Sequence, residues 1–369
     1  MEGSYGRNVK AHGGGHGAPH QMQPGGRGRS RRKKLPIWLV IAIDVLLAAL
    51  LLGIFYIFQY EIKPEVQGKP LPGATAIAQS QPSAPPAASD APAAAPSATT
   101  PTEEYPAASP SIDPNDWRAK FADKFTGGEV VKTDTSYKSA NVSIEIQTFM
   151  KGDVPYYIAD IYVADLKYFR TAFAKKPDVM GGRDFTDAVA RENNAIIAIT
   201  GDHCLDNEGT VVRNGMLYRK SPSTLDLLVM YNDGSMKTFS PSDFDVESTL
   251  SSGVYQIWTF GPMLLQNGQA MTEFNSTVQR SNPRTAIGYF EPGHYCFVVI
   301  GGRQSGYSLG CTMQELSQLM EELGCAEAYN LDGGRSAEMI FMDKMLNHQD
   351  RRRTTPDIVY ITDNPEGQP

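Results

Sequence analysis

The 369 residues include 41% hydrophobic and 20% charged side chains, enough apolar material for a sizeable core and too much for a wholly disordered chain. The net charge of −7 is unevenly spread: residues 1–34 hold eight Lys or Arg against one Glu, whereas residues 113–369 hold 24 basic and 34 acidic side chains. The acidic balance of the C-terminal part excludes nucleic acid as its partner, because a phosphate backbone would be repelled.

In chain order, residues 1–34 form a basic tail. Its Gly-rich stretch with His12, His16 and His20 lacks cysteine and is expected to be disordered. From Leu35 to Phe58 the one charge is Asp44. The run would make about 36 Å of helix against a hydrocarbon core of about 30 Å, so a transmembrane helix is expected over 35–59. The run exceeds the apolar stretch of a cleaved signal peptide, and no small-residue cleavage site directly follows it. The cluster Arg27 to Lys34 precedes the helix, and mixed charges follow it, so the bias of basic flanks places the N-terminus in the cytoplasm and the rest outside the cell membrane. Of the 52 residues from 61 to 112, 34 are Pro, Ala, Ser or Thr. That composition predicts a disordered stalk over 60–112.

Residues 113–369 are expected to fold as one α+β (mixed α/β) domain, strand-rich, with a mixed sheet and flanking helices. A first helix is expected at 115–125. Alternating apolar residues predict strands at 142–149 and 156–163, joined by a Gly152-Asp153 turn. A helix over 184–193 leads into a buried run at 195–200. Further strands are expected at 225–231, 255–260, 284–289, 295–300, 326–331, 337–341 and 358–362. The clearest helix is 313–323, with Thr312 as N-cap, Glu315 completing a capping box and Gly324 as its stop. Cys204, Cys296, Cys311 and Cys325 show no zinc-type spacing, and both free thiols and disulfides fit their pattern.

Four strand ends combine turn residues, glycine in three and proline in the second, with charged groups: Thr200-Gly201-Asp202-His203, Asn282-Pro283-Arg284-Thr285, Gly301-Gly302-Arg303-Gln304 and Asn330-Leu331-Asp332-Gly333-Gly334-Arg335-Ser336. Each alone fits an ordinary turn. Together they place Arg forks suited to phosphate oxygens beside carboxylates, with glycines that let backbone N–H groups approach an anion.

The run Val298 to Thr312, with Glu315-Leu316, Leu323-Gly324-Cys325-Ala326 and Asn330-Leu331-Asp332-Gly333-Gly334, resembles the phosphodiester glycosidase family, which has many bacterial surface members. Asn282 to Gly288, Phe260-Gly261-Pro262 and Val212-Arg213-Asn214-Gly215 match further family blocks in order, so the resemblance spans most of 140–363. It departs at Thr200, Gly301 and Arg335, where the family carries Asn, Asp and Gly. The resemblance implies a hydrolase that cleaves a glycosyl-1-phosphodiester in a cell-surface phosphoglycan or exopolysaccharide. It implies Asp332 as nucleophile or general base, Asp202 as the second carboxylate, and His203 as acid or positioning group. Arg284, Arg303 and Arg335 would clamp phosphate, supported by Gly201, Asn330, Gly333, Gly334 and Ser336. Asp202 and Asp332 would alternatively hold a divalent cation such as calcium. A non-catalytic carbohydrate-binding or scaffold domain on the same fold is the alternative. The sequence leaves the sugar, the aglycone, the role of Asp44 and the oligomeric state open.

Overall fold

The computed structural model describes residues 36–60, 65–72, 116–303, 308–348 and 351–365. The basic tail, most of the segment expected as stalk, and Gln304 lie outside the described residues.

Among the described residues, one helix, Ile37–Tyr60, is long and apolar enough to cross a membrane, and 19 of its residues, Ile37–Phe55, satisfy that test on length and composition. A signal sequence near an N-terminus has the same character, so the helix by itself does not assign a topology.

The remaining described residues build a domain from three large sheets and one two-stranded sheet, in which every strand pairing among the described residues is antiparallel. The expected mixed sheet is thereby corrected. Consecutive strands such as Arg284–Glu291 and His294–Ile300 pair as hairpins through tight turns, whereas a parallel pair needs a crossover of a dozen residues or more. The longest hairpin runs from Val142↔Val163 to Lys151↔Val154 in unbroken register. Its turn carries Gly152 at φ 66°, where a side chain would be strained.

The nine-stranded sheet is centred on Glu327–Leu331, Arg284–Glu291, His294–Ile300 and Val154–Val163. A five-stranded sheet contains Ile197–Thr200 between Met339–Phe341 and Asp357–Ile361. A six-stranded sheet is centred on Leu227–Tyr231, Val254–Thr259 and Val211–Arg213.

The three sheets share one core, and the two-residue period of a strand decides which residues enter it. In His294–Ile300, Tyr295, Phe297 and Val299 face the shared core, while Cys296, Val298 and Ile300 face the helix Met313–Glu322. In Asp357–Ile361, Val359 and Ile361 face the core, while Ile358 and Tyr360 pack against Val189 and Ala190 of the helix Thr186–Glu192. Leu228 and Met230 do the same for the six-stranded sheet, whose other face meets Leu250 of Val246–Ser251. Each sheet therefore buries both faces, one on the common core and one under a helix. Continuous apolar strands such as Val298 to Ile300 follow from that double burial.

The capping box is present: Thr312 N donates to Glu315 Oε2 at 2.8 Å, and Glu315 N donates to Thr312 Oγ1 at 3.2 Å. The expected first helix is shortened to one turn, Trp117–Lys120, capped by Asp116. Trp117 and Phe121 bury into the shared core, and the chain then turns through Gly127 and Gly128. Within the segment expected as stalk, residues 65–72 belong to the domain instead. Val66–Gln67 pairs with Val179–Met180, and Lys69–Pro70 extends the six-stranded sheet beside Met216–Arg219. An exposed sheet edge accepts any extended chain that offers N–H and C=O groups, which composition alone does not reveal. All four cysteines are free and buried, and the sulfurs of Cys296 and Cys325 lie 3.7 Å apart.

Leu316 is fully buried between Met313–Glu322 and the nine-stranded sheet. Leu316→Ala is expected to lower the unfolding free energy by about 2–5 kcal/mol in a denaturant titration. A loss well under about 1 kcal/mol would show that the helix does not seal that face.

Candidate active site

A cavity of about 700 Å³ opens where strands of the nine-stranded sheet end. Arg284, Arg303, Arg335, Asn330, Asp332, Gly333 and Gly334 all line it, so seven residues singled out from the sequence converge there. Its walls also include Phe260, Phe274, Val278, Asn282, Met313 and Arg353. Asp202, His203, Gly201 and Ser336 are not among the lining residues.

Asp332 follows the strand Glu327–Leu331 and is 5% exposed. Arg353 Nη2 donates to its two carboxylate oxygens at 2.7 and 2.5 Å, and Arg353 Nε donates to Ser336 Oγ at 2.8 Å. On the other flank, His203 Nδ1 lies 3.3 Å from Asp332 Oδ2, an ion-pair distance without hydrogen-bond alignment. Burial pushes the Asp332 carboxyl up, but His203 first and then Arg353 outweigh it and hold the group below its ordinary value.

His203 sits at φ 60°, and its Nε2 meets Asp206 Oδ2 at 2.5 Å. Burial works against its charge, but Asp206 and Asp332 prevail and raise its pKa to about 9. The imidazole is thus a cation at neutral pH, held behind Asp332. It acts on the cavity through that carboxylate.

Asp202 is fully buried and serves a different purpose from Asp332. Its Oδ1 accepts from Arg213 Nη2 at 2.7 Å and its Oδ2 from Thr259 N at 2.8 Å. Arg213 Nη2 also donates to Asp357 Oδ2 at 2.9 Å, and burial, then the charge of Asp202, push the Asp357 carboxyl up to about 7. Gly201 is required by close approach: a Cβ there would lie 2.3 Å from Asp357 Oδ1. Gly201 O accepts from Asp332 N at 3.0 Å, so the buried ion triad is tied directly to the strand end that presents Asp332.

Among the described residues, the group of metal-ligating types that lie within 4.8 Å of one another is Asp202, Cys204 and Asp357, without Asp332. Arg213 already occupies the charge-neutralising position in that group, and both Asp332 oxygens accept from Arg353. These carboxylates suit guanidinium partners rather than a shared calcium ion, which needs six or more free oxygen ligands.

Three arginines supply the positive wall. Arg284 is 4% exposed; its Nε donates to Cys311 O at 3.3 Å and its Nη2 to Arg280 O at 2.6 Å. Burial depresses its pKa. Arg303 sits at φ 56° and donates from Nε to Asn282 Oδ1 at 2.9 Å. Arg335 is exposed on the rim. Asn330 Nδ2 donates to Gly261 O at 2.8 Å, leaving its buried Oδ1 without a partner in a cavity wall.

At the family departures, Thr200 Oγ1 donates to Thr355 Oγ1 at 2.8 Å, and a Cβ at Gly301 would meet Pro155 Cγ at 2.7 Å. Position 301 therefore has no room for a side chain without movement of Pro155. Arg353 was missed in the sequence; its signal was the basic run Arg351 to Arg353 just ahead of the last strand. Arg213 and Asn282 stood inside recognised blocks without an assigned role. Asp357 resembled the first residue of an ordinary strand.

The phosphodiester glycosidase family model matches residues 185–362. Over 176 residues, the chain is 26% identical to the SPbeta prophage-derived uncharacterized protein YomE of Bacillus subtilis strain 168, covering 45% of this chain. The chain spans only about a quarter of that relative, 27% of its length. The catalytic domain of zebrafish N-acetylglucosamine-1-phosphodiester alpha-N-acetylglucosaminidase, solved in a form auto-inhibited by its pro-peptide, shares the fold. It superposes with a TM-score of 0.50 at 17% identity, over 65% of this chain and 86% of that one. Residues 185–362, which carry Asp332 and the arginines around it, thus match the model of the phosphodiester glycosidase family, a family of hydrolases.

Proposed function

We propose that this domain hydrolyses the bond between an anomeric carbon and a phosphate oxygen in a phosphodiester of an extracytoplasmic glycan. The observation that carries the reading is the convergence of Arg284, Arg303, Arg335 and Arg353 on one cavity whose carboxylate is Asp332. A guanidinium fork matches phosphate oxygens, and several of them at one cavity favour an anion over a neutral sugar.

The charge pattern also fits the leaving group. Ordinary glycosidases place two carboxylates across the scissile bond, one of them a general acid. Here Asp332 is the carboxylate among the cavity-lining residues, and Asp202 is buried behind it. A phosphate monoester leaves without strong protonation, so cations on its oxygens replace the second carboxylate. Asp332, ionised by His203 and Arg353, would act at the anomeric carbon as nucleophile or as the charge that stabilises an oxocarbenium-like centre. His203 is then a positioning residue that keeps Asp332 ionised and oriented. The Asp202, Arg213 and Asp357 triad holds the backbone on which both stand.

With a hexosyl phosphodiester as substrate, Asp332→Asn is expected to abolish sugar release, and Arg284→Ala to lower kcat/KM by about 100-fold or more. If the wild type binds such a ligand and releases no sugar, the enzymatic reading falls, and a carbohydrate-binding domain replaces it.

The pH dependence follows from His203. Its pKa rises from 6.5 to about 9 on folding, so its ion pairs stabilise the fold fully below about pH 6.5 and are lost as pH rises through about 9. kcat/KM is expected to hold through neutrality and fall above about pH 9. In His203→Gln that alkaline limb should disappear from the profile; a limb unchanged in the variant would remove His203 from the mechanism.

We also propose that Ile37–Tyr60 anchors the chain with its basic tail in the cytoplasm and the domain outside. Protease added to intact cells should digest the domain and spare an epitope placed in residues 1–34. Protection of the domain would reverse the topology.

A further inference from the structure

The cavity has two chemically different walls, and the hydrogen bonds among its residues set their order. Asp332 leads into Gly333 and Gly334, and Gly334 N donates to Pro283 O at 2.9 Å. The next residue, Arg284, donates to Cys311 O and Arg280 O. Past those carbonyls, Met313 N donates to Gln279 O at 2.9 Å, and Gln279 Nε2 donates to Ser276 O at 2.9 Å and Phe274 O at 3.3 Å. Bonded contacts thus run from Asp332 through Arg284 to the segment that carries Phe274 and Val278, which line the same cavity with Leu225 and Met313.

Two polar side chains of that wall are turned to internal bonds. Asn275 Nδ2 donates to Thr224 O at 2.7 Å and to Asp226 Oδ1 at 3.0 Å, and Ser276 Oγ accepts from Val278 N at 3.1 Å. Val278 is 50% exposed, so apolar surface stands open to the cavity beside the positive charge.

We infer that this wall receives the group esterified on the far side of the phosphate, and that this group is an apolar chain. The substrate is then a glycan joined through its anomeric phosphate to a hydrophobic alcohol, an assignment that rests on the glycosidase reading above. A hydroxyl-rich aglycone would lose water against Phe274 and Val278 and find few partners there beyond Thr277, whereas an alkyl chain gains by covering the two apolar side chains. In the net reaction, the hydroxyl of water bonds to the anomeric carbon and the anomeric C–O bond breaks. The bonding pair departs on the phosphate oxygen as an alkyl phosphate monoester, and the remaining proton of that water passes to the monoester or to solvent.

The test titrates the full-length protein in lipid nanodiscs with hexyl phosphate and with glycerol 1-phosphate, using empty nanodiscs as the blank. Hexyl phosphate is expected to bind at least about tenfold more tightly, since each methylene covered adds several-fold. Val278→Asp and Phe274→Ser should each bring the two dissociation constants together. Equal constants in the wild type, or a preference that survives both substitutions, would overturn the inference. A parallel assay of a hexosyl hexyl phosphate separates the two claims: absence of sugar release alongside a hexyl preference overturns the glycosidase reading and leaves the apolar wall standing.

Discussion

Arg213 is fully buried and bonded to two carboxylates, Asp202 and Asp357, and the arrangement of the site depends on that charge cluster. Arg213 comes from the six-stranded sheet, and Asp357 opens a strand of the five-stranded sheet. Asp202 follows the neighbouring strand Ile197–Thr200 and also accepts from Thr259 N of the six-stranded sheet. The cluster is therefore a seam between two sheets. Removing one partner of such a seam strands a buried charge, at a cost of about 3–5 kcal/mol. The energy constrains where the chain goes next, because Gly201 lies against Asp357 and its carbonyl holds the Asp332 backbone.

From that seam outward, charge alternates: Asp202 and Asp357 around Arg213, then His203, then Asp332, then Arg353, and finally the open guanidiniums of the cavity. From Arg213 to Arg353 each charge in this series has an opposite neighbour, which is the condition under which ionised groups persist away from water. The consequence for chemistry is that Asp332 stays charged while 5% exposed, and that the arginines facing the cavity exceed the carboxylates there. Positive excess beside an apolar wall suits a ligand that is anionic at its centre and hydrophobic at one end.

The fold supplies rigidity to this arrangement. All three sheets bury both faces, so the strand ends that carry Arg284, Asp332 and Asp357 are fixed by packing over their whole length. The helix Met313–Glu322 contributes Met313 to the cavity and Leu316 and Met320 to the sheet beneath, so core and site share one element.

The sequence by itself determined the local structure and much of the positive wall. Period-two alternation located the hairpin from Val142 to Val163, the Thr312 and Glu315 pair marked the start of its helix, and Pro283 beside Arg284 and glycines beside Arg303 and Asp332 marked the strand ends. Those signals are legible because each depends on neighbours within a few residues. Tertiary structure alone decided which charges meet. Arg353 reaches Asp332 across 21 residues and Arg213 reaches Asp357 across 144, through the docking of separate sheets. The same docking buried Asp202 while leaving Asp332 at the cavity, although both follow a strand and precede a polar residue or glycine. It also drew residues 65–72 out of a Pro- and Ala-rich stretch, onto the strand Val179–Met180 and the edge of the six-stranded sheet, because backbone pairing needs an open edge and an extended chain more than a particular side chain.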